Sequence, residues 1–346
     1  MTQQEVFELL QTLSAQELFY KKYAQTEANP SARRMLLGGL DRERAVREHW
    51  LLPEIYPERH RMEFSDDDFF DDAPRYHVRL TQHPRYEPRF PVSYDFFSAV
   101  YVMQGGCELR IMDDLLTLPS GSFCLVAPGV THTLKVSDES TLVFHILLRK
   151  STFQELLSDI LQSDSRISAF FFNTLYTGQS GGYLLFSTGE DPTVRQLILA
   201  MFGEQMEKDV YSNILINHSL IMVLTRLIRE YEHTVQTPPA AKSSDECFQL
   251  LYYLMNNFLD LSLADVAEHY NYNVSYCSQY IKRITGKTFS QLMKIFRIRK
   301  ACELLTGSGM DIHEISELLG YANPESFMLA FKKEMGMTPT QYRRGS

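Results

Sequence analysis

Residues 281–291 read Ile-Lys-Arg-Ile-Thr-Gly-Lys-Thr-Phe-Ser-Gln, and residues 331–341 repeat the pattern as Phe-Lys-Lys-Glu-Met-Gly-Met-Thr-Pro-Thr-Gln. The copies share the glycine, the threonine two positions later and the final glutamine. Each copy closes a pair of short helical patterns joined by a tight turn, which predicts a helix-turn-helix. Two such motifs in one domain could enter successive major grooves of DNA, about 34 Å apart. The repeat therefore predicts a DNA-binding domain.

The two motifs are predicted in the same form. In the first, residues 263–270 and a helix that begins at Val274 flank an Asn-Tyr-Asn turn, whose residues tolerate a left-handed backbone. In the second, residues 320–323 form the turn and Pro324 takes the favoured first helical position. A connecting helix over about residues 290–305 joins the motifs. The inward positions are Cys277 and Ile281 in the first motif, and Ile312, Ile315, Leu319, Phe327 and Phe331 in the second.

Residues 315–321, Ile-Ser-Glu-Leu-Leu-Gly-Tyr, are followed by Ser326-Phe327, by the segment from Phe331 to Pro339 and by Tyr342-Arg343. Together they resemble the signature of the AraC family of transcription regulators, and the resemblance covers about residues 246–344. It implies two helix-turn-helix motifs joined by a long helix that bind asymmetric sites on double-stranded DNA. It also implies RNA polymerase as a partner and, in most members, activation of transcription.

The outward positions of the two second helices are the candidate DNA contacts. In the first motif they are Ser275, Tyr276, Ser278, Gln279 and Lys282; in the second they are Glu325, Met328, Leu329 and Lys332. Gln279 could recognise adenine in the major groove, whereas apolar Met328 and Leu329 could contact only thymine methyl groups. We therefore expect the first motif to recognise bases and the second mainly to anchor the backbone.

A second set of basic side chains is predicted to contact phosphates, which position a protein on DNA without specifying sequence. The candidates are Lys282, Arg283, Lys287, Arg297, Lys332 and Lys333. For any single lysine of this set, an ordinary solvated surface charge is an equally good interpretation.

The charge distribution separates the two halves of the chain. The 346 residues hold 34 basic and 43 acidic side chains, for a formal net charge of -9. From Ser243 onward there are 11 of each, so residues 1–242 carry the whole acidic excess, 23 against 32. Because the C-terminal part is neutral, we expect weak and salt-sensitive non-specific affinity for DNA.

The composition also limits the class of protein. Five cysteines lack the spacing of a zinc site, so we expect buried reduced thiols with no disulfide, no metal and no cofactor. No apolar run approaches the roughly 20 residues that span a bilayer. The first residues, Met-Thr-Gln-Gln-Glu, lack the pattern of a secretory signal. These features favour a cytoplasmic protein without a membrane partner.

The middle of the chain is predicted to be β-rich. Short strand-like runs lie at residues 78–80, 99–103, 108–112, 123–127 and 142–148, separated by turn signals. This spacing predicts an antiparallel barrel or jelly roll. Gly121 and residues 127–132, Ala-Pro-Gly-Val-Thr-His, resemble the second cupin motif, and residues 101–105 resemble the strand and turn before it. The stretch about residues 76–150 thus resembles the sugar-sensing barrel of AraC-type regulators.

The resemblance to cupins also suggests a candidate effector site. Val92, Tyr94 and Ser98 stand where metal-binding cupins have their His-x-His and Glu ligands, so a metal-dependent cupin enzyme is disfavoured and no catalytic residue is assigned. Residues 92, 94 and 98 are predicted to share one strand face, so we expect Tyr94, Ser98 and His132 to line the interior. Arg110 and His145 are further candidates on neighbouring strands. Such a pocket suits a small polar effector such as a carbohydrate; the alternative is a packed barrel with a structural His132.

The remaining segments are predicted to be helical. Residues 1–52 predict helices, with a cap at Ser14, a break at Asn29-Pro30 and a third helix over about residues 31–50. The acidic run at residues 66–72 is predicted to be a solvated loop. Helices over about residues 191–208 and 212–231 carry apolar stripes, mostly expected to be core; the family resemblance implies a homodimer through these helices.

The predicted fold is thus a multidomain α+β protein. Its segments are an N-terminal helical segment (1–62), an antiparallel cupin-like β-barrel (63–150), a helical dimerisation segment (151–232), a linker (233–244) and an all-α double helix-turn-helix domain (245–346). The predicted function is DNA-binding transcription regulation controlled by a small molecule. Two alternatives stay open: control by a protein partner through the N-terminal helices, and a cupin enzyme fused to a DNA-binding domain.

Overall fold

The structure is a computed structural model that describes residues 2–70, 77–149, 160, 165–177, 182–238 and 245–345. These residues form two compact units. The N-terminal unit contains the described residues up to 149, residues 160 and 165–170, and residues 182–238; the C-terminal unit contains residues 245–345 together with residues 171–177. Among the described helices, none combines the length and apolar character that crossing a bilayer requires.

The N-terminal unit begins with four helices: α1 Gln3–Gln11, α2 Ala15–Gln25, α3 Pro30–Gly38 and α4 Arg42–Arg47. The predicted cap at Ser14 is confirmed, since its side chain accepts from the Glu17 amide and the Glu17 carboxylate accepts from the Ser14 amide. The prediction of one helix over residues 31–50 is wrong. Gly38 and Gly39 end α3 because glycine is costly within a helix, and Asp41 starts α4 by accepting from the Arg44 amide.

A buried arginine fixes these helices to the β-sheets of the same unit. Arg85 is fully buried, and its Nε lies 2.7 Å from the Glu17 carboxylate. Its guanidinium also donates to the carbonyls of Leu10, Gln11 and Thr12, which end α1. A buried charge is tolerated only when paired and hydrogen-bonded in this way. The N-terminal helices are therefore an integral part of the unit.

Among the residues that the structure describes, ten strands and one short helix follow. The strands are β1 Met62–Phe64, β2 Val78–Gln82, β3 Val92–Tyr94, β4 Phe97–Gln104, β5 Gly106–Ile111, β6 Asp114–Pro119, β7 Ser122–Val126, β8 His132–Lys135, β9 Leu142–Leu148 and β10 Tyr183–Ser187. All five strand-like runs of the sequence are confirmed. Part of the acidic run forms helix α5, Asp66–Phe69, and not a loop, because Asp68 accepts from the Ser65 amide at 2.7 Å. Its last residues, 71 and 72, lie outside the described residues.

The strands form two five-stranded sheets and not the closed antiparallel barrel that the sequence suggested. The orders are β1-β3-β8-β5-β6 and β10-β7-β4-β9-β2, and the β1–β3 pair is parallel. At the β2 edge, a side chain from the following helices takes the place of a further strand. The side-chain Oε1 of Gln205 accepts a hydrogen bond from the backbone N–H of Leu80, and its Nε2 donates one to the backbone carbonyl of Leu80, both at 2.7 Å. The edge is thus satisfied without closure.

Three further helices precede the C-terminal helices in the described residues. They are α6 Arg166–Thr177, whose residues from 171 onward belong to the C-terminal unit, α7 Pro192–Glu207 and α8 Ser212–Arg226, the last followed by a π-helical turn, Leu227–Tyr231. Asp191 caps α7 by accepting from the Thr193 amide, which confirms the predicted start. The first residues of the predicted linker are not free, because Gln236 pairs with Leu185 of β10 through two backbone hydrogen bonds. The rest of that linker, residues 239–244, lies outside the described residues.

The C-terminal unit is all helical: α9 Asp245–Asn257, α10 Leu263–His269, α11 Val274–Thr285, α12 Phe289–Gly307, α13 Ile312–Leu318, α14 Pro324–Met335 and α15 Pro339–Gly345. The sequence repeat that predicted these helices consists of residues that end one helix and start the next. Gly286 and Gly336 end α11 and α14 with φ of 67° and 73°, the left-handed conformation that glycine adopts freely. Thr288 and Thr338 then start the next helices, each with its amide donating to a glutamine three residues later.

Candidate nucleic-acid interface and effector site

The first helix-turn-helix consists of α10 and α11. Asn273 caps α11 by accepting from the Tyr276 amide at 2.8 Å. The helix buries Cys277, Ile281 and Thr285, so its opposite side faces solvent. That side carries the predicted contacts Ser275, Tyr276, Gln279, Lys282 and Arg283, while Ser278 and Lys287 are half-buried. The structure thus presents the predicted base contacts and two predicted phosphate contacts on one surface.

The second helix-turn-helix, α13 and α14, repeats this arrangement with different chemistry. Asn323 caps α14, and the helix buries Phe327, Ala330 and Phe331. Its exposed side carries all five predicted contacts: Glu325, Met328, Leu329, Lys332 and Lys333. Leu329 is 71% exposed, at the position that Gln279 holds in the first motif. An apolar side chain so open to water, on the outer surface of such a helix, is a candidate contact surface.

Arg297 lies within the C-terminal unit and differs from the other predicted phosphate contacts. It is half-buried in α12, and its Nη2 donates to the Leu259 carbonyl at 3.2 Å. The same nitrogen would lie 3.9 Å from a Cβ placed on Gly320, which belongs to the turn of the second motif. Arg297 therefore connects the segment before α10 with that turn, a role that the sequence did not indicate.

The sequence also missed a row of aromatic rings beside the first recognition helix, which we call the tyrosine ladder: Tyr272, Tyr276 and Tyr280. Neighbouring rings lie 4.9 Å apart for Tyr272 and Tyr276, and 5.9 Å apart for Tyr276 and Tyr280. The Arg283 guanidinium lies over the Tyr280 ring, 5.1 Å from its centre. For Tyr276 and Tyr280 the spacing of four residues was the available signal, because residues four apart are neighbours on a helix, whereas Tyr272 lies in the turn before α11.

The predicted effector residues are partly brought together. The prediction that residues 92, 94 and 98 share a strand face is wrong, since Tyr94 belongs to β3 in one sheet and Ser98 to β4 in the other. Ser98 nevertheless pairs in register with Leu147, and Leu147 packs in one core cluster with Tyr94. Ser98 and Tyr94 therefore both face the space between the sheets. Arg110 does not, because it is exposed between buried Leu109 and Ile111; its assignment to the interior is wrong.

Three histidines lie buried in this interior. His83 Nδ1 lies 3.1 Å from His145 Nε2, and His132 Nδ1 lies 3.2 Å from the Val130 carbonyl. The Tyr94 ring is 5.8 Å from the His132 ring. Within the described part of the chain, His83 Nε2, His132 Nε2 and His145 Nδ1 are buried without a hydrogen-bond partner. Buried polar atoms are normally paired, so three such nitrogens require an explanation.

A carboxyl group accompanies the histidines. Glu87 Oε2 lies 3.7 Å from His83 Nδ1, and its other oxygen lies 3.3 Å from the hydroxyl of Tyr20 in α2. Burial lowers the pKa of His83 to about 3 and that of His132 to about 4, and it holds the pKa of His145 well below its usual value. Burial also raises the pKa of Glu87 to about 8. Near neutral pH burial therefore keeps the three histidines uncharged and favours the protonated form of Glu87, so the His83–Glu87 contact is not an ion pair.

His83 and Glu87 were not found from the sequence. They lie in residues 83–91, His-Pro-Arg-Tyr-Glu-Pro-Arg-Phe-Pro, which has no strand or helix periodicity. His83 meets His145 across 62 positions of the chain. Among the described residues, no three His, Cys, Asp or Glu side chains are grouped so as to hold a metal ion.

Comparison with known proteins gives two matching family models. An AraC-like ligand binding domain matches residues 75–224, and a helix-turn-helix domain matches residues 266–345. The chain is 25% identical over 287 residues to the HTH-type transcriptional regulator YfiF of Bacillus subtilis, covering 82% of this chain and 86% of that protein. It is 22% identical over 270 residues to the HTH-type transcriptional activator RhaS of Citrobacter koseri, covering 75% and 91%. A solved C-terminal domain of AraT, a response regulator from Geobacillus stearothermophilus, is 41% identical, covering 28% of this chain and 83% of that one, with a TM-score of 0.27.

Proposed function

The chain belongs to the AraC family of transcription regulators, with a helix-turn-helix DNA-binding domain and an AraC-like ligand-binding domain, and we propose that it is a homodimeric activator controlled by an uncharged, hydroxylated small molecule. It is a transcription regulator and not an enzyme. The proposal has three parts: which motif recognises bases, what the N-terminal unit binds, and which surface pairs two copies.

The observation that carries the DNA-binding part is the difference between the two exposed helix surfaces. Gln279 can donate to and accept from an adenine edge, and the Ser275 hydroxyl can serve a base or a phosphate. The corresponding place in the second motif is Leu329, which can make only apolar contacts. The first motif therefore specifies sequence, and the second holds the domain on the duplex through Lys332 and Lys333.

A selected duplex tests this assignment. A binding site is first obtained by selection from random DNA with the full chain. The double variant Gln279→Ala/Lys282→Ala is expected to lose binding to that duplex in a gel-shift titration, with the fold intact by circular dichroism. Lys22 and Gln25 provide the matched control, since they are also a lysine and a glutamine three apart on an exposed helix surface. Unchanged affinity in the first variant would remove α11 from the interface.

The effector part rests on the unpaired nitrogens between the sheets. A carbonyl can only accept, so His132 Nδ1 carries the proton and Nε2 is an acceptor. His83 and His145 share one proton along their contact, so one of their two outer nitrogens donates and the other accepts. Each unpaired buried group costs roughly 1–3 kcal/mol. A ligand hydroxyl can both donate and accept, and would satisfy these nitrogens.

The charge of the ligand follows from the same groups. A carboxylate or phosphate buried among neutral side chains would have no compensating cation, which is strongly unfavourable. Arg85, a fully buried arginine in the described part of this unit, is already paired with Glu17. Neutral hydroxylated compounds such as unmodified sugars therefore fit better than sugar acids or sugar phosphates.

Thermal-shift screening tests the effector part, because a ligand that binds only the folded state raises the melting temperature. Neutral sugars are compared with the matching sugar acids and phosphates. The variant His132→Phe is expected to lose the shift, while Arg110→Ala, which changes an exposed residue on the outer surface, is expected to keep it. Stabilisation by the charged series alone would contradict the proposal.

The homodimer part rests on the exposed surface of α8. Tyr211, Leu215, His218 and Met222 follow one another at spacings of four, three and four, and all are exposed. Such spacing forms the seam along which two helices pack. Ile214, an apolar residue of the same helix, is 52% exposed beside this seam, although the apolar stripe of this helix was expected to be mostly core. The homodimer would place two DNA-binding domains on one site.

Sedimentation of two matched variants tests the homodimer. Leu215 in α8 and Leu18 in α2 are each 47% exposed. Leu215→Asp is expected to give monomers and Leu18→Asp to leave dimers, because only the first places a charge in the seam. Dimers of both variants would exclude α8 as the pairing surface.

The three parts combine in one mechanism. An effector shifts the population of dimer arrangements only if its affinity differs between them. The N-terminal helices share in that equilibrium, since Tyr20 of α2 contacts the buried Glu87. Effector binding and operator binding should then be coupled reciprocally.

A further inference from the structure

The tyrosine ladder ends on a basic side chain at the DNA-facing surface. Tyr276 and Tyr280 stack on one flank of α11, Tyr272 of the preceding turn meets both rings edge-on, and the guanidinium of Arg283 lies over the Tyr280 ring. Arg283 and Tyr276 are exposed together with Gln279, whereas Tyr280 is half-buried at the side. The Tyr280 ring is thus partly buried in the domain surface, while the Arg283 guanidinium that lies over it is exposed to solvent.

This arrangement limits the freedom of the arginine. A free arginine side chain has many rotamers, and part of this freedom is lost whenever its guanidinium binds a partner. A planar guanidinium also stacks favourably on an aromatic face. Stacking on Tyr280 therefore removes part of the conformational cost before DNA arrives.

The second motif has no equivalent device. Fifty residues after Tyr276, Tyr280 and Arg283, the chain has Ser326, Ala330 and Lys333. Ala330 is buried and offers no ring, and a lysine ammonium lacks the planar surface that stacks. Any orientation of a cation by stacking is therefore specific to the first motif.

We propose that Tyr280 is a positioning residue for DNA binding, whose ring orients the Arg283 guanidinium toward a phosphate beside the base-recognition surface of α11. The proposal rests on the DNA interface assigned above to the first motif. It goes further in giving a role to a residue that itself need not touch DNA. Tyr272 and Tyr276 of the ladder pack against the Tyr280 ring, with centroid distances of 6.0 and 5.9 Å.

Salt dependence separates positioning from general packing. Each phosphate contact that is lost lowers the slope of log affinity against log salt by about 0.9. With the full chain and the selected duplex, Arg283→Ala is expected to weaken binding roughly five- to tenfold and to lower the slope by about this amount. Tyr280→Leu keeps an apolar side chain without a ring face, and we expect a several-fold loss with a reduced slope. Tyr280→Phe keeps the ring and should stay within about twofold of the parent, since the stacking surface is unchanged.

Double variants give the decisive comparison. If Tyr280 acts through Arg283, Tyr280→Leu should have no further effect once Arg283 is alanine, or once it is lysine, which keeps the charge without the plane. Lys282 is the matched control, because it is an exposed basic neighbour on the same helix. Tyr280→Leu and Lys282→Ala should therefore be additive.

Three outcomes would overturn or separate the proposals. An unchanged salt slope in folded Tyr280→Leu, or additivity with Arg283→Ala, means that Tyr280 does not orient Arg283. If Arg283→Ala weakens binding and Tyr280→Leu does not, positioning fails while the interface stands. If Arg283→Ala and Gln279→Ala/Lys282→Ala all leave affinity unchanged, the interface itself is wrong. Far-ultraviolet circular dichroism and thermal unfolding confirm that each variant is folded before it is scored.

Discussion

The two helix-turn-helix motifs share a backbone plan and differ in what they place on it. Both recognition helices start at an asparagine cap and end at a left-handed glycine. The first packs Cys277 and Ile281 inward and shows Gln279 outward; the second packs Phe327 and Phe331 inward and shows Leu329. Caps determine where a helix lies, and the side chains between them determine what it does. A duplicated fold is therefore poor evidence for duplicated function.

The largest expected difference between the motifs is in their cores. Phe327 and Cys277 occupy equivalent, fully buried positions. Phe327→Ala should destabilise the second motif by about 3–5 kcal/mol through the lost contacts and the cavity. Cys277→Ala removes one heavy atom, so a loss near 1 kcal/mol is expected.

Native-state hydrogen exchange measures these values separately, because it reports the opening free energy of individual helices. The amides of α14 should lose protection in Phe327→Ala, and those of α11 should change little in Cys277→Ala. Equal losses in the two variants would show that the cores are equivalent despite their composition.

The next difference is in sequence recognition. Gln279→Ala should weaken binding to the selected duplex by about 1–3 kcal/mol and relax preference at one base pair. Leu329→Ala should change affinity by less than about 1 kcal/mol, the value of one or two apolar contacts, and leave base preference unaltered. Titrations against single-base variants of the duplex make the measurement. A loss of base preference in Leu329→Ala would show that the second motif also recognises bases.

These contrasts also show what the sequence could predict. Caps are local, so Ser14, Asp191 and the repeated Gly-x-Thr exits specified helix ends correctly from a few neighbouring residues. The single helix expected over residues 31–50 failed where the Gly38-Gly39 pair outweighed the surrounding helical pattern. Local signals were reliable when the residues that decide them are adjacent.

Sheet closure and the buried histidines depend on distant residues. The Gln205 side chain forms hydrogen bonds with the Leu80 backbone at the edge of β2, although the two residues are 125 positions apart, and the sequence of β2 does not predict this contact. His83 meets His145 only after both sheets have formed. For Arg110 the strand was predicted correctly, but the face of the sheet on which its side chain lies was not. A shift of one residue in register moves a side chain to the opposite face. Tertiary pairing, and not propensity, decides these sites.

The smallest expected effect is on phosphate contacts, for which the two motifs should behave alike. Lys282 and Lys332 are exposed at equivalent positions of α11 and α14. If both contact phosphates, Lys282→Ala and Lys332→Ala should each weaken binding modestly, uniformly across duplex sequences, and each lower the salt slope by about 0.9. Titration of both variants at several salt concentrations on the selected and a scrambled duplex checks this. A slope that falls only for Lys282→Ala would mean that the second motif does not anchor the backbone, and the comparison would then separate a DNA-bound motif from one left free for another partner.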